Sequence, residues 1–109
     1  MAYRFGDVLL VPITFSDARA EKKRPVLVIR DAGDADLLVV PIPSHPPRSF
    51  EDVTLPNWRS AGLRLPSTAR MAKLATVAKS TVIRQLGRLT DRDAQSTREI
   101  LRQLFEELF

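Results

Sequence analysis

Short, branched apolar runs set the limits on what this chain can fold into. Residues 7–14, 25–30 and 36–42 are rich in Val, Leu and Ile, and each run is too short and too β-branched for a typical helix. Between the second and third runs lies Gly33, which can adopt a positive φ. These two runs therefore predict a β-hairpin that is buried on both faces.

The segments around these runs indicate loops and further strands. Residues 16–24 are polar and indicate an exposed loop, and residues 43–49 contain three prolines, which cannot sustain a strand ladder. Residues 51–55 alternate polar and apolar side chains, as a half-buried strand does. Residues 67–77 predict a strand with Arg70 near its start, although their alanines also permit a helix. Residues 82–89 predict a last strand, closed by Gly87.

The end of the sequence predicts a helix over about residues 91–107. Thr90 followed by Asp93 resembles a capping box, and apolar residues recur at helical spacing after it: Ala94, Leu101, Leu104, Phe105 and Leu108. Five or six short strands and one terminal helix in 109 residues predict a single domain over residues 1–109. The expected fold is mostly β with a C-terminal helix, a small SH3-like barrel.

Composition excludes several classes of protein. The sequence has no cysteine, so neither a disulfide framework nor a thiolate metal site is possible. The first residues lack the apolar stretch of a signal peptide, and the longest apolar runs are far shorter than the ~18 residues of a membrane span. We therefore expect a cytoplasmic protein without a membrane partner.

The positive charge is concentrated in the middle of the chain. Residues 1–52 hold seven Lys/Arg and eight Asp/Glu, and residues 91–109 hold three and five. Residues 53–90 hold seven cations and no acid: Arg59, Arg64, Arg70, Lys73, Lys79, Arg84 and Arg88. Such a segment favours binding of a polyanion, with nucleic acid as the natural candidate, over charges merely scattered on the surface.

The residue types available for chemistry are few. His45 is the single histidine, so an acid/base pair of two histidines is excluded, and a Ser-His-Asp triad could use only His45. There is no cluster with metal-ligand spacing and no Gly-rich phosphate loop, so we expect neither a metal nor a cofactor.

Arginines and hydroxyls flank the predicted strand ends, where loop-facing side chains can converge on one site: Arg24, Ser44, His45, Ser67, Thr68 and Arg70. Arginine suits phosphodiester chemistry because its planar fork binds a phosphate bidentately and stays charged. Taken singly, each arginine would more often form a surface salt bridge, His45 would be an ordinary loop residue, and Trp58 would pack in the core.

Several blocks, in this order, resemble the MazF/PemK family of toxins. They are Gly6-Asp7-Val8, residues 23–29 (Lys-Arg-Pro-Val-Leu-Val-Ile), residues 40–44 (Val-Pro-Ile-Pro-Ser), Gly62-Leu63 with residues 65–70 (Leu-Pro-Ser-Thr-Ala-Arg), residues 73–77 (Lys-Leu-Ala-Thr-Val), Ile83, and residues 86–89 (Leu-Gly-Arg-Leu). Together they cover roughly residues 5–105. The blocks are individually weak, and their joint order and spacing carry the resemblance.

The resemblance implies a homodimeric SH3-like barrel that cleaves single-stranded RNA without a metal and is inhibited by the acidic, disordered tail of a cognate antitoxin. The family's arginine before the proline matches Arg24, and its arginine on a later strand matches Arg70. Of the family's usual Thr-Ser pair after the third strand, Pro43 replaces the threonine and Ser44 remains. Where some members carry a catalytic acid, this chain offers Ser67 or Thr68.

The expected reaction is attack of the substrate's 2′-OH on the adjacent phosphate, which leaves a 2′,3′-cyclic phosphate and a 5′-OH. The resemblance makes Arg24, Ser44 and Arg70 the catalytic residues, with the two arginines stabilising the charge on the phosphate. His45 is a candidate proton shuttle, and the general base is unassigned. The further RNA-binding residues are expected to be His45, Arg64, Ser67, Thr68 and Lys73.

Two other functions are compatible with the same expected fold. One is a gyrase-poisoning toxin of the CcdB kind, which binds a protein and cleaves nothing. The other is a non-catalytic RNA- or protein-binding module, which the proline at position 43 favours. The basic stretch and the Arg-Pro block favour the nuclease.

Overall fold

The structure, a computed structural model, describes residues 2–14 and 21–109. In this part of the chain, seven strands precede one α-helix: β1 (Asp7–Thr14), β2 (Glu21–Arg30), β3 (Asp36–Pro41), β4 (Asp52–Leu55), β5 (Ser67–Arg70), β6 (Ala75–Ala78), β7 (Arg84–Arg88) and α1 (Asp91–Glu106). A single 3₁₀ turn, Lys79–Thr81, lies between β6 and β7. The prediction of a mostly β fold with a C-terminal helix is confirmed.

The main sheet is antiparallel with the strand order β6-β3-β2-β1-β7. A flat sheet of five strands would hold its two edges about 19 Å apart. The connection from Ala78 to Arg84 includes a 3₁₀ turn and reaches only about 16 Å, because that turn rises about 2 Å per residue. The sheet must therefore curl into a barrel-like shape, and β4 and β5 form a separate two-stranded sheet.

The curled sheet is buried on both faces. On one face, Val8, Leu27 and Val40 pack with residues of β4, β5 and α1. On the other face, the six most buried side chains come from β1, β2 and β3: Leu9, Val11, Val26, Val28, Leu37 and Val39. The predicted hairpin is therefore confirmed, including its burial on both faces and its turn, where Gly33 has a φ of +91°.

Strand β2 begins earlier than the sequence predicts. The polarity of residues 21–24 predicts an exposed loop, but these residues continue the ladder, with Lys23 opposite Pro12 and Arg24 opposite Val11. The loop interpretation is wrong for these four residues, since polarity reports exposure and not the absence of strand pairing. The rest of the predicted loop, residues 16–20, lies outside the described residues.

The predicted strand over residues 67–77 is in fact two strands in different sheets. β5 pairs with β4, with Thr68 opposite Thr54, and β6 pairs with β3, with Val77 opposite Leu37. Residues 71–74 form the turn between the two sheets, and no local sequence pattern predicts this turn. The last strand, β7, contains Gly87 in its interior and does not end at it. A glycine is needed at this position because the backbone of Ala61 approaches too closely for a side chain.

Helix α1 begins as predicted, with the Thr90 hydroxyl accepting a hydrogen bond from the Asp93 N–H at 3.3 Å. The predicted apolar stripe divides along the helix. Ala94 is buried in the core, and Leu101 and Leu104 are half-buried against it. Phe105 and Leu108 are exposed, so the last turn of the helix extends beyond the core.

Candidate functional site

A cleft of about 530 Å³ lies where the ends of β2, β3 and β7 meet the loop before β5. Its floor and walls are largely apolar, and its polar lining consists of cations and hydroxyls without an acid. The lining residues are Leu10, Ile13, Lys23, Arg24, Pro25, Pro41, Ile42, Pro43, Ser44, Gly62, Leu63, Arg64, Leu65, Ser67, Arg84 and Leu86. Four cations around an apolar floor suit a ligand that combines negative charge with flat or apolar groups.

A second groove, of about 550 Å³, lies between β4 and α1 and has the opposite character. Its charged lining residues are Asp52 and Glu99, and no Lys or Arg lines it in the part of the chain that the structure describes. Both acids are ion-paired, Asp52 with Arg70 and Glu99 with Arg102, and the described lining offers a polyanion no cation to bind. Charge, and not size, therefore selects the first groove, called the cationic cleft below, as the candidate site.

One wall of the cationic cleft depends on two glycines. Gly62 has a φ of +83°, and a Cβ built there would lie 2.1 Å from the carbonyl oxygen of Leu86. A Cβ on Gly87 would lie 2.6 Å from the carbonyl oxygen of Ala61. The loop therefore rests directly on the backbone of β7, so the segment that carries Arg64 and Leu65 and the strand that carries Arg84 border the same cleft.

Thr68 fixes the loop that carries Ser44. The Thr68 N–H donates to the carbonyl oxygen of Pro43 at 3.0 Å, and its hydroxyl donates to the carbonyl oxygen of His45 at 2.5 Å. Both bonds reach the backbone on either side of Ser44, and Thr68 itself is buried. Its neighbour Ser67, also buried, donates its hydroxyl to the carbonyl oxygen of Leu65 at 2.7 Å. Thr68 thus positions the exposed Ser44 beside β5.

The structure brings together four of the eight predicted site residues. Arg24, Ser44, Arg64 and Ser67 all line the cationic cleft, although they come from three separate parts of the sequence. The other four, His45, Thr68, Arg70 and Lys73, are not in its lining. Of these, His45 adjoins Ser44 and Thr68 holds their loop, whereas Lys73 lies exposed in the turn after β5.

Arg70 lies in an ion pair on the β4–β5 sheet. Its Nε is 3.3 Å from Oδ1 of Asp52, the residue directly opposite it in the ladder. The Asp52 side chain is 3% exposed and the Arg70 side chain 27%. The other Asp52 carboxylate oxygen accepts the Arg48 N–H at 3.0 Å. The resemblance matches the catalytic acid of some family members to Ser67 or Thr68, neither of which is acidic. In the structure the acid beside Arg70 is Asp52, which comes from β4.

Similar ion pairs neutralise other cations of the basic stretch 53–90. Lys79 pairs with Asp31 at 2.8 Å, and Arg88 pairs with Asp7 at 2.5 Å. The hydrogen bond from Lys79, together with backbone N–H groups, lowers the pKa of Asp31 to about 2. With Arg70, three of the seven cations in this stretch thus have acidic partners from residues 1–52.

The remaining cations define where positive charge is available. The Arg59 guanidinium lies over the Trp58 ring, 4.8 Å from its centroid. Within residues 2–14 and 21–109, Arg64, Lys73 and Arg84 form no ion pair. Two of these three, Arg64 and Arg84, line the cationic cleft. Of the seven cations in this stretch, these two are therefore the ones that the fold brings to the cleft without an acidic partner in the described residues.

Two of the cleft's cations, Lys23 and Arg84, are not among the residues predicted from the sequence. Lys23 is opposite Pro12 on β1, and Arg84 is opposite Leu10. Their common face therefore depends on the register of β1 with both neighbouring strands. The one signal in the sequence is the alternation of Lys23 and Pro25 on β2, which indicates a shared face once the strand is known to start before Pro25.

The described residues offer neither a cluster of metal ligands nor a helix that could span a membrane. In the described part of the chain, no group of three or more His, Cys, Asp or Glu side chains could hold a metal ion. The described helix is also not long and apolar enough to cross a membrane.

Comparison with known families identifies the fold. The sequence matches the family model of PemK-like, MazF-like toxins of type II toxin–antitoxin systems over residues 4–105. The chain belongs to this family. No curated protein matches this MazF-like toxin significantly.

Solved structures resemble the toxin over nearly its whole length. An endoribonuclease in complex with its cognate antitoxin, from a mycobacterial species, has a TM-score of 0.79 at 16% identity and covers 96% of each chain. The Deinococcus radiodurans MazE–MazF complex has a TM-score of 0.78 at 18% identity and 97% coverage of each chain. The Mycobacterium tuberculosis toxin MazF-mt6 has a TM-score of 0.70 at 20% identity and covers 90% of this chain and 96% of its own. At these identities the likeness concerns the fold.

Proposed function

We propose that this toxin is an endoribonuclease that cleaves single-stranded RNA without a metal ion. The observation that carries the proposal is the cationic cleft, where Arg24, Ser44 and Ser67 meet from three separate segments beside further cations. A single strand offers phosphates to the cations and bases to the apolar floor. The family membership of the chain and the endoribonuclease among its solved structural neighbours support the same activity.

The proposed reaction is an internal transesterification at phosphorus. The 2′-oxygen forms a bond to the adjacent phosphorus as the bond from phosphorus to the 5′-oxygen breaks. The 2′-OH loses its proton and the departing 5′-oxygen gains one, so the products are a 2′,3′-cyclic phosphate and a 5′-OH. Arg24 stabilises the extra negative charge on the phosphate, and Ser44 donates a hydrogen bond to it.

His45 is the proposed proton carrier because of its position and its hydrogen bond. Its Nδ1 lies 2.8 Å from the carbonyl oxygen of Pro46. A carbonyl oxygen only accepts, so Nδ1 carries the hydrogen, and Nε2 of the neutral ring is left to accept a proton. His45 directly follows Ser44, a residue of the cleft lining, and this position in the chain supports the proposal. Lys73 is proposed to contact RNA outside the cleft.

Arg70 has a supporting part in this proposal. The resemblance assigns it to catalysis, but its guanidinium is engaged by Asp52, and the cleft lining does not include it. The ion pair joins β4 to β5, and β5 carries Thr68, which holds the Ser44 loop. We therefore propose that Arg70 acts on the site through β5.

The proposed partners are a second copy of the chain and an antitoxin with an acidic tail. Solved relatives include toxins bound to their antitoxins, and the cationic cleft has the charge to bind carboxylates in place of phosphates. Large apolar side chains remain exposed for a second copy to cover: Phe50, Leu65, Ile83, Phe105 and Leu108. Sedimentation at micromolar concentration should show a dimer, and a clean monomer would contradict this part of the proposal.

The experiment that tests the activity is analysis of RNA fragment ends. The purified toxin is incubated with several single-stranded RNAs in excess EDTA, and the fragments are examined by mass spectrometry. We expect fragments that end in 2′,3′-cyclic phosphate, while DNA of the same sequence stays intact because it lacks the 2′-OH. Intact RNA in every sample, or ends bearing a 3′-OH, would contradict the proposed reaction.

A further inference from the structure

Lys23 and Arg84 face the cationic cleft from the two strands on either side of β1. Leu10 on β1 is opposite Pro25 on β2 and also opposite Arg84 on β7. Lys23 is two residues before Pro25, so alternation places it on the same face of the sheet. Both cations are exposed, and both line the cleft.

Among the described residues, no acid pairs with either cation. In the described part of the chain, Lys23 and Arg84 form no ion pair, in contrast to Arg70, Lys79 and Arg88. An exposed cation that has no acidic partner keeps its full charge for a ligand. This distinguishes the pair from basic residues that stabilise the fold.

The surface between the two cations is apolar. Leu10 and Pro25 lie in the same row across the sheet, and Leu86 follows Arg84 by two residues on β7. Lys23 and Arg84 lie two strands apart and two residues apart along β1, so their backbone positions are about 12 Å apart. Two long side chains at this spacing can reach towards each other and contact successive phosphates of an extended strand while the sugar and base between them rest on the apolar floor.

We propose that Lys23 and Arg84 bind the phosphates of a nucleotide next to the cleaved one, with Leu10, Pro25 and Leu86 beneath its base. The inference rests on the proposed function, since RNA is its ligand. Apolar side chains offer contact area but no hydrogen bonds to base edges. The subsite therefore positions the strand and shows little preference among bases.

Binding of an RNA that cannot be cleaved tests this proposal apart from the activity. The probe is a mixed-sequence, 2′-O-methylated single-stranded RNA with a fluorescent label, and its affinity is measured by anisotropy over a range of salt concentrations. Each phosphate contact on a single strand contributes about 0.7 to the slope of log affinity against log salt. Lys23→Ala and Arg84→Ala should each lower that slope by about 0.7 and the affinity about fivefold at 0.1 M salt.

Matched variants separate this role from a general loss of charge. The double variant should lose about 1.4 from the slope, whereas Lys23→Arg should keep the wild-type slope. Arg92→Ala, which removes an exposed arginine of α1 outside the cleft lining, should also leave the slope unchanged. Circular dichroism should show each variant folded, because all three positions are exposed.

The outcomes distinguish this inference from the proposed function. Loss of slope in a toxin that fails to cleave ordinary RNA would support phosphate binding by Lys23 and Arg84 and contradict the nuclease. An unchanged slope in both single variants of an active toxin would overturn the subsite and leave the nuclease standing. A toxin that does not bind the probe at low salt would also overturn the subsite.

Discussion

Thr68 and His45 are joined by a hydrogen bond of 2.5 Å from the threonine hydroxyl to the histidine carbonyl oxygen, across 23 residues of sequence. With the bond from the Thr68 N–H to Pro43, it holds the backbone on both sides of Ser44. The position of a candidate catalytic hydroxyl therefore depends on a residue that is itself buried and out of contact with the cleft.

Thr68→Val should lower both stability and cleavage. The substitution keeps the shape of the side chain but leaves the His45 carbonyl without its donor, which costs about 1–3 kcal/mol when the group is buried. The loop carrying Ser44 would then be less well fixed, so kcat should fall. Urea unfolding and cleavage assays measure the two effects. Thr68→Ser, which keeps the hydroxyl, should recover most of the rate, and full activity in Thr68→Val would contradict the positioning role.

A pair of glycine variants tests how the cleft wall is built. Gly62 and Gly33 both have positive φ, so alanine at either position costs about 1–2 kcal/mol of backbone strain. At Gly62 the new Cβ would also meet the Leu86 carbonyl oxygen, whereas at Gly33 it would meet nothing within 4 Å. Gly62→Ala should therefore be about 1–3 kcal/mol more destabilising than Gly33→Ala in urea unfolding. Equal effects would show that the contact with β7 is not tight.

Stability at acid pH should report the ion pair between Asp31 and Lys79. The hydrogen bond from Lys79, then those from the backbone N–H groups of Tyr3 and Gly33, lower the pKa of Asp31 from its ordinary 3.8 to about 2. Because the folded pKa is the lower one, the contribution is present above pH ~4 and is lost as the pH falls towards 2. Asp31→Asn should therefore differ from wild type in unfolding free energy at pH 6 and converge with it near pH 2. A difference independent of pH would rule out this linkage.

Arg70→Ala should affect stability more than chemistry. It leaves the Asp52 carboxylate, 3% exposed, without its cation. Because Arg70 is itself partly exposed, we expect a loss of about 1–2 kcal/mol, less than for a fully buried pair. The cleavage rate should fall by less than about tenfold, far below the ~10²–10³ expected from loss of a catalytic donor. A loss of that larger size with an unchanged Tm would make Arg70 catalytic after all.

The sequence was sufficient where local chemistry decides the structure. The cap of α1 needs only Thr90 and Asp93, three residues apart, and the hairpin at Gly33 needs only its turn and two apolar runs. Such features are set by neighbours in the chain. The convergence of Arg24, Ser44 and Ser67 was predictable only in part: Ser44 follows β3 and Ser67 begins β5, whereas Arg24 lies inside β2.

The sequence was insufficient where the structure depends on which distant strand or side chain a residue pairs with. Residues 67–77 divide between two sheets because β5 pairs with β4 and β6 with β3. The ion pair between Arg70 and Asp52 follows from one of those pairings, and the shared face of Lys23 and Arg84 follows from the register of β1 on both its sides. None of these relationships has a local signal, so neither residue type nor the family resemblance indicates that Arg70 pairs with Asp52 or that Lys23 and Arg84 line the cleft.

The single-turnover cleavage rate of Arg24→Ala tests most directly whether RNA is cleaved in the cationic cleft. Saturating toxin is mixed with labelled single-stranded RNA in EDTA, beside wild type and the exposed-arginine control Arg92→Ala. We expect a rate about 10²–10³ lower for Arg24→Ala, as for loss of one preorganised donor, with the variant folded at the assay temperature and the control rate nearly unchanged. A wild-type rate in folded Arg24→Ala would show that cleavage occurs elsewhere.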